Sequence, residues 1–262
     1  VEKGIDVLPL KKGIIYGPVQ SRRLGSSLGI NLSPTRRKLC SFNCIYCHYG
    51  WTERLTMDTT RYREEFPSKE QVLDAVRNAL RSSVEIEYIT FSGDGEPTLH
   101  PDFEEIVRGV RMIRDTESSG TPLAILTNSS TLDDMSVRKG LTQIDLPIFK
   151  LDAGTQEVFE ALNNPVSGIE LEHIVECLCS MERVIIQSIF LKGAVDNTSS
   201  ENLSAWIAAV GSIKPEVVQM YSTDRPVPKQ GIERVEREQL EHIAERTTRE
   251  SGAKAAIYSL DP

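Results

Sequence analysis

The sequence predicts a parallel α/β fold built from repeated strand–helix units. Three observations predict it. Short apolar runs rich in β-branched residues alternate with segments whose apolar residues recur at helical spacing. The run 86–91 is β-rich and mostly apolar, as a buried strand is. Polar residues then fall just past the ends of successive runs, at 92–99, Thr127-Asn128, Asp152 and Arg225. Parallel barrels carry their active sites at strand carboxyl ends, and open doubly wound sheets bind ligands there too. The polar clustering favours a barrel; periodicity alone leaves both architectures open.

Taken in order, residues 1–13 are mixed in character and read as a loose lead-in. Residues 16–34 are punctuated by Gly and Pro, and their end, 27–32, reads as a short strand feeding the segment that follows. Ser68 is an N-cap with Gln71 three residues on, a capping-box pattern, and Val72, Ala75, Val76, Ala79 and Leu80 continue the helix. A buried strand is expected over 86–91. Pro101 then opens a helix carrying Phe103, Ile106, Val107, Val110 and Ile113. Further strands are expected over 123–126, 144–151, 184–191 and 217–221. Helices are expected over 131–139, 156–162, 169–181, 200–210 and 235–251, with Trp206 in the core.

The composition narrows the functional class. At 262 residues the chain is long enough for one large α/β barrel or two small domains, and 39% hydrophobic with 26% charged residues is ordinary for a globular protein. The net charge, 30 − 38 = −8, lacks the basic field of a nucleic-acid binder. Arg36, Arg37 and Lys38 read as solvated surface charge. No apolar run is long enough to span a membrane and no charged-then-apolar leader is seen, while the cysteine usage described next makes reducing cytosol the expected compartment. Five cysteines, three of them in one short stretch, do not form a disulfide framework.

That stretch, residues 39–51, reads Leu-Cys-Ser-Phe-Asn-Cys-Ile-Tyr-Cys-His-Tyr-Gly-Trp. Cys40, Cys44 and Cys47 are close enough along the chain to ligate one metal centre, and thiolates suit iron–sulfur clusters or zinc. Three thiolates on a four-iron cubane leave one iron without a protein ligand. The neighbours Ser41, Asn43 and His48 suit a loop rather than a core. Zinc with His48 as fourth ligand is the alternative, but structural zinc sites usually pair two knuckles. Cys177 and Cys179 are distant and, two apart on a helix, do not share a face.

The cysteine spacing, with Tyr46 before the last cysteine, resembles the signature of the radical S-adenosylmethionine (SAM) superfamily. The block around Tyr16-Gly-Pro-Val, Ser21-Arg-Arg-Leu-Gly and Ser27-Leu-Gly resembles the branch that includes the wyosine-synthesis tRNA enzymes. The resemblance implies a partial (β/α)6 TIM-like barrel and one radical SAM domain over residues 1–262. In it, 1–26 is a lead-in, 27–230 the barrel core and 231–262 a final helix and tail. It implies a [4Fe-4S] cluster on Cys40, Cys44 and Cys47, with SAM chelating the open iron and cleaved to a 5′-deoxyadenosyl radical that abstracts hydrogen from a substrate. Asp94-Gly95-Glu96 resembles the superfamily's "GGE" element, which holds the amino group of SAM, with Asp94 a departure at the first glycine. Tyr46 resembles the residue whose backbone meets the adenine.

Thr127 and Asn128 are implied near SAM or the substrate, and Asp152 as a partner for a ribose hydroxyl. Gln187 and Ser188 are polar residues in an apolar strand, read as facing a ligand or satisfied within the core. Lys150 lies two before Asp152, so both point the same way in a strand, a substrate contact or a snorkelling lysine. Arg23, His48 and Arg225 are further candidate substrate contacts. The expected electron source is an external one-electron reductant of flavodoxin or ferredoxin type. Wyosine-type relatives need a second cluster on three cysteines ahead of the motif, and no cysteine precedes Cys40 in this sequence. A small molecule, a peptide or a protein to be activated is therefore expected as substrate ahead of tRNA. An iron–sulfur scaffold without SAM chemistry and a zinc module are the non-enzymatic alternatives.

Overall fold

The structure, a computed structural model, describes residues 7–82 and 85–258. These divide into two compact units, one of residues 10–41 and 53–148, the other of residues 7–9, 42–52 and 149–258. Residues 1–6 of the expected lead-in lie outside the described residues.

The first unit opens with β1 (Ile15–Ser21) and β2 (Gly25–Ile30), an antiparallel hairpin. Then come β3 (Leu39–Cys40) and β4 (Arg54–Leu55), a short parallel pair with Cys40 opposite Leu55. There follow α1 (Lys69–Arg81), β5 (Tyr88–Phe91), α2 (Phe103–Glu117), β6 (Leu123–Thr127), α3 (Met135–Leu141) and β7 (Leu146–Lys150), whose last two residues count with the second unit. β2, β5 and β6 are parallel neighbours, so Ile30, Phe91 and Thr127 end at one edge. α1 forms where expected. Ser68 Oγ accepts the Gln71 N–H at 3.2 Å, and Gln71 Oε1 accepts the Ser68 N–H at 2.8 Å. Val72 and Val76 are its buried stripe.

The second unit contains α4 (Gln156–Asn163), α5 (Leu171–Cys179), β8 (Ile185–Ile189), β9 (Leu191–Gly193), α6 (Ser200–Ile213), β10 (Val217–Tyr221), β11 (Ile232–Arg234), α7 (Arg237–Ser251) and β12 (Ala255–Ile257). β8, β10 and β12 are parallel, with Ile185 opposite Val217 and Ile189 opposite Tyr221. All five residues of β8 are buried, including the polar Gln187 and Ser188. Trp206 is in the core as expected. Its indole N–H donates to the Leu151 carbonyl at 2.9 Å, and its ring meets Phe190 edge-to-face at 5.2 Å.

The sequence-based elements are corrected in four places. β1 lies in the expected lead-in, where Gly17 and Pro18 obscured it. The strand expected over 184–191 ends at Ile189, and residues 191–193 pair antiparallel with β11 instead. The helix expected from 131 begins at Met135, because the Asp134 carboxylate accepts the Ser136 N–H at 2.7 Å and caps it there. Lys38 is buried, 3% exposed, so it is not solvated surface charge, whereas Arg36 is exposed and the half-buried Arg37 pairs with Glu65 at 3.0 Å. No helix among the described residues is long and apolar enough to cross a membrane.

Candidate functional site

In the first unit the polar residues past β5 and β6 converge on one carboxylate. Glu96, 3% exposed, accepts four hydrogen bonds. Oε1 takes the Thr98 N–H at 3.1 Å, the Thr98 hydroxyl at 2.6 Å and the Thr127 hydroxyl at 2.7 Å; Oε2 takes the Asn128 N–H at 2.6 Å. Burial pushes the Glu96 carboxyl above its usual range, and these donors, led by the Asn128 N–H, pull the other way. Asn128 also reaches the metal motif. Its Nδ2 lies 3.7 Å from Cys40 Sγ and donates to Ser41 Oγ at 2.8 Å, while Ser41 Oγ shares a 2.7 Å bond with Ser130 Oγ. Cys40 and Glu96 thus share one bridging residue.

Gly95 is required by space rather than by backbone angle. A Cβ there would overlap the Leu39 carbonyl oxygen, one residue before Cys40. Gly95→Ala is expected to cost about 1–3 kcal/mol in a denaturant melt through the forced backbone shift, and to lower the iron content after reconstitution. Asp94 does structural work. Its Oδ2 accepts the Lys11 N–H at 2.6 Å and lies 3.4 Å from Asn31 Nδ2, anchoring the segment before β1. Tyr16 lies over Gly29, where a Cβ would meet its ring, and its hydroxyl meets Ser92 Oγ at 2.5 Å.

The second unit holds Cys44 and Cys47, and its polar centre is Asp152, whose side chain is fully buried. Oδ2 accepts the Tyr46 hydroxyl and, at 3.1 Å, an Asn163 amide N–H. Oδ1 accepts the Ile189 N–H at 2.9 Å and pairs with Lys150 Nζ at 2.9 Å. Lys150 also donates to the Tyr221 hydroxyl at 2.9 Å and lies near the faces of both Tyr46 and Tyr221, at 5.3 and 4.8 Å from the ring centroids. Burial alone would lower the Lys150 pKa, but Asp152 and Tyr221 outweigh it and raise it, so the ammonium persists at neutral pH. Lys150→Met is expected to destabilise the protein by about 3–5 kcal/mol in denaturant, since it leaves Asp152 a buried, uncompensated charge. Adding Asp152→Asn should recover part of that loss.

The remaining predicted residues fall as follows. Gln187 donates to Gln219 Oε1 on β10 at 3.2 Å, and Ser188 to the Leu151 carbonyl just past β7 at 2.5 Å, so both side chains have partners within the protein. His48 has a buried Nδ1 with no hydrogen-bond partner. Burial and then Arg225 hold its pKa below the usual value, so the ring is neutral near pH 7. Arg225 is exposed on the loop after β10, and that loop is tied to the cysteine segment where the Lys229 N–H donates to the Ile45 carbonyl at 3.3 Å. Arg23 lies in the turn between β1 and β2, ahead of β2. It is therefore at the amino end of the parallel strands, about 20 Å of strand from the edge that carries Glu96.

Sequence reasoning missed Asn163, Thr98, Thr131 and Tyr221. Thr98 Oγ1 bonds Thr131 Oγ1 at 2.6 Å behind Glu96. Asn163 ends α4, and its Nδ2 lies 3.5 Å from Cys44 Sγ and 2.9 Å from the Tyr46 hydroxyl. The one available signal was Asn163-Asn164-Pro165 closing a helix pattern.

The motif cysteines are free thiols, soft donors of the kind that suit an iron–sulfur cluster. Among the described residues no disulfide engages the motif cysteines, and two of the three sulfurs have an asparagine amide beside them. Burial pushes the Cys44 thiol up to about 11, with the nearby Cys47 adding to the shift, so metal binding at this cysteine would release a proton. Among the described residues no three His, Cys, Asp or Glu side chains are gathered around a single metal ion.

Residues 38–179 match the family model described as the radical SAM superfamily, and the chain belongs to that superfamily. It is 33% identical over 220 residues to the UPF0026 protein slr1464 of Synechocystis, covering 82% of this chain and 77% of that protein. It is 34% identical over 237 residues to a protein of Brachyspira hyodysenteriae named GTPase Obg, covering 88% of this chain but only 33% of that protein. Among solved structures, TYW1 with a lysine–pyruvate adduct matches with a TM-score of 0.61 at 13% identity, covering 88% of this chain and 76% of that one. Streptococcus suis SuiB bound to S-adenosylmethionine matches with a TM-score of 0.62 at 14% identity, covering 88% and 50%. At these identities the likeness is one of fold, the partial β/α barrel of radical SAM enzymes. Members of the superfamily are enzymes that use a [4Fe-4S] cluster and SAM and draw on an external reductant.

Proposed function

We propose that residues 1–262 form one radical SAM domain in which Cys40, Cys44 and Cys47 hold the [4Fe-4S] cluster and Glu96 holds the amino group of SAM. The observation that carries this reading is Asn128. Its backbone N–H bonds Glu96 Oε2 and its side chain reaches Cys40 Sγ, which supports a single site for the first motif cysteine and the buried carboxylate. When bound, the cluster and SAM supply one-electron cleavage to a 5′-deoxyadenosyl radical and hydrogen abstraction from a substrate. The chain's own part is positional. Thr98, Thr127 and Asn128 fix Glu96 and leave Oε2, which takes one bond against three on Oε1, as the oxygen to accept an amino N–H. Asp152 fixes Tyr46, one residue before Cys47.

The substrate reading is a small molecule, a peptide or a protein to be activated, ahead of a tRNA base. The net charge of −8 supports it, since tRNA binding rests on a basic field. The reductant is of flavodoxin or ferredoxin type and the compartment the reducing cytosol. The test is the paramagnetic resonance spectrum of the reduced, reconstituted protein. Adding SAM is expected to shift its g-values; an unchanged spectrum at saturating SAM would overturn the SAM assignment and leave an iron–sulfur scaffold.

A further inference from the structure

Asn163 occupies the junction between a motif cysteine and the buried polar centre of the second unit. The C-terminal end of α4 is docked on the cysteine segment by backbone bonds. The Asn43 N–H lies 3.0 Å from both the Asn163 and Asn164 carbonyls, and the Ile45 N–H donates to the Leu162 carbonyl at 3.0 Å. This docking fixes Asn163, 2% exposed, against Cys44. Its Nδ2 faces Cys44 Sγ at 3.5 Å, the Tyr46 oxygen at 2.9 Å and Asp152 Oδ2 at 3.1 Å, while its Oδ1 is buried with no hydrogen-bond partner. An unsatisfied buried carbonyl costs about 1–3 kcal/mol. Turning the amide over would set that oxygen against a carboxylate and a thiolate, which is worse. The side chain is therefore held for its donors.

We infer that Asn163 is a positioning residue that donates an N–H to the Cys44 thiolate and thereby sets the cluster's reduction potential, an inference resting on the cluster assignment above. Hydrogen bonds to cluster sulfurs are among the determinants of potential. A donor stabilises the more negative, reduced cluster more than the oxidised one, so its loss drives the potential down. The reductant must then supply a stronger driving force.

Asn163→Leu keeps most of the volume and removes the donor. Its reconstituted cluster, titrated anaerobically against redox mediators without SAM, is expected to have a midpoint more negative than wild type. In resonance Raman spectra the iron–cysteine sulfur stretching bands of wild type should shift in D2O, and by less in the variant. An unchanged midpoint in a fully loaded variant would overturn the inference. If the variant takes up no cluster, wild type decides alone, since bands unmoved by D2O exclude the donor. Failure of wild type to assemble a cluster would instead defeat the cluster assignment itself.

Discussion

Cys44→Ala, purified and reconstituted without oxygen, is expected to be colourless, with iron falling from about four per chain to background. Each thiolate ligates one iron of the cubane, and no further cysteine lies in the segment to replace it. The nearest others in sequence are Cys177, buried, and Cys179, exposed, both on α5. The fold should survive. Removing one sulfur from a half-buried position costs no more than about 1–2 kcal/mol, so circular dichroism and the melting curve separate loss of cluster from loss of fold. SAM cleavage should drop to the background rate. A brown variant with its iron retained would contradict the ligand set.

Glu96→Gln is expected to keep the colour and weaken SAM binding by about ten- to a hundredfold, measured by equilibrium binding to the reconstituted protein. A hydrogen bond to a charged group is worth about 1.5–3 kcal/mol, and each 1.4 kcal/mol is tenfold. The pH dependence separates this role from a packing role. Burial raises the Glu96 carboxyl pKa, and only the ionised carboxylate is a charged acceptor for the amino N–H of SAM. Wild-type affinity should therefore rise with pH through that raised value and level off above it, and Glu96→Gln should lack this rise. Equal affinity in variant and wild type would move the amino-group site elsewhere.

Local signals were legible in the sequence because local physics decides them. The capping box at Ser68 and Gln71 is a four-residue interaction, and it formed as expected. The strand Val217–Tyr221 matches its expected bounds, because an apolar run between turn residues has one reading. β12, Ala255–Ile257, was missed because three residues carry no period; it exists through pairing with β10. The site divides the same way. Cys40, Cys44, Cys47 and Glu96 stand out by residue type and spacing. Asn163 does not, since its place beside Cys44 depends on α4 docking 119 residues further along the chain. Gln187 and Ser188 stood out as polar residues in an apolar strand, yet their partners, Gln219 on β10 and the Leu151 carbonyl just past β7, are tens of residues away in sequence.

The most direct measurement is product formation. The protein is reconstituted with iron and sulfide under anaerobic conditions, reduced with dithionite, and given SAM. The products are then separated by liquid chromatography. The expected result is 5′-deoxyadenosine together with methionine, absent from Cys44→Ala and strongly reduced in Glu96→Gln. A loaded, reduced cluster that yields no 5′-deoxyadenosine and whose resonance spectrum ignores SAM would contradict radical SAM chemistry in this chain.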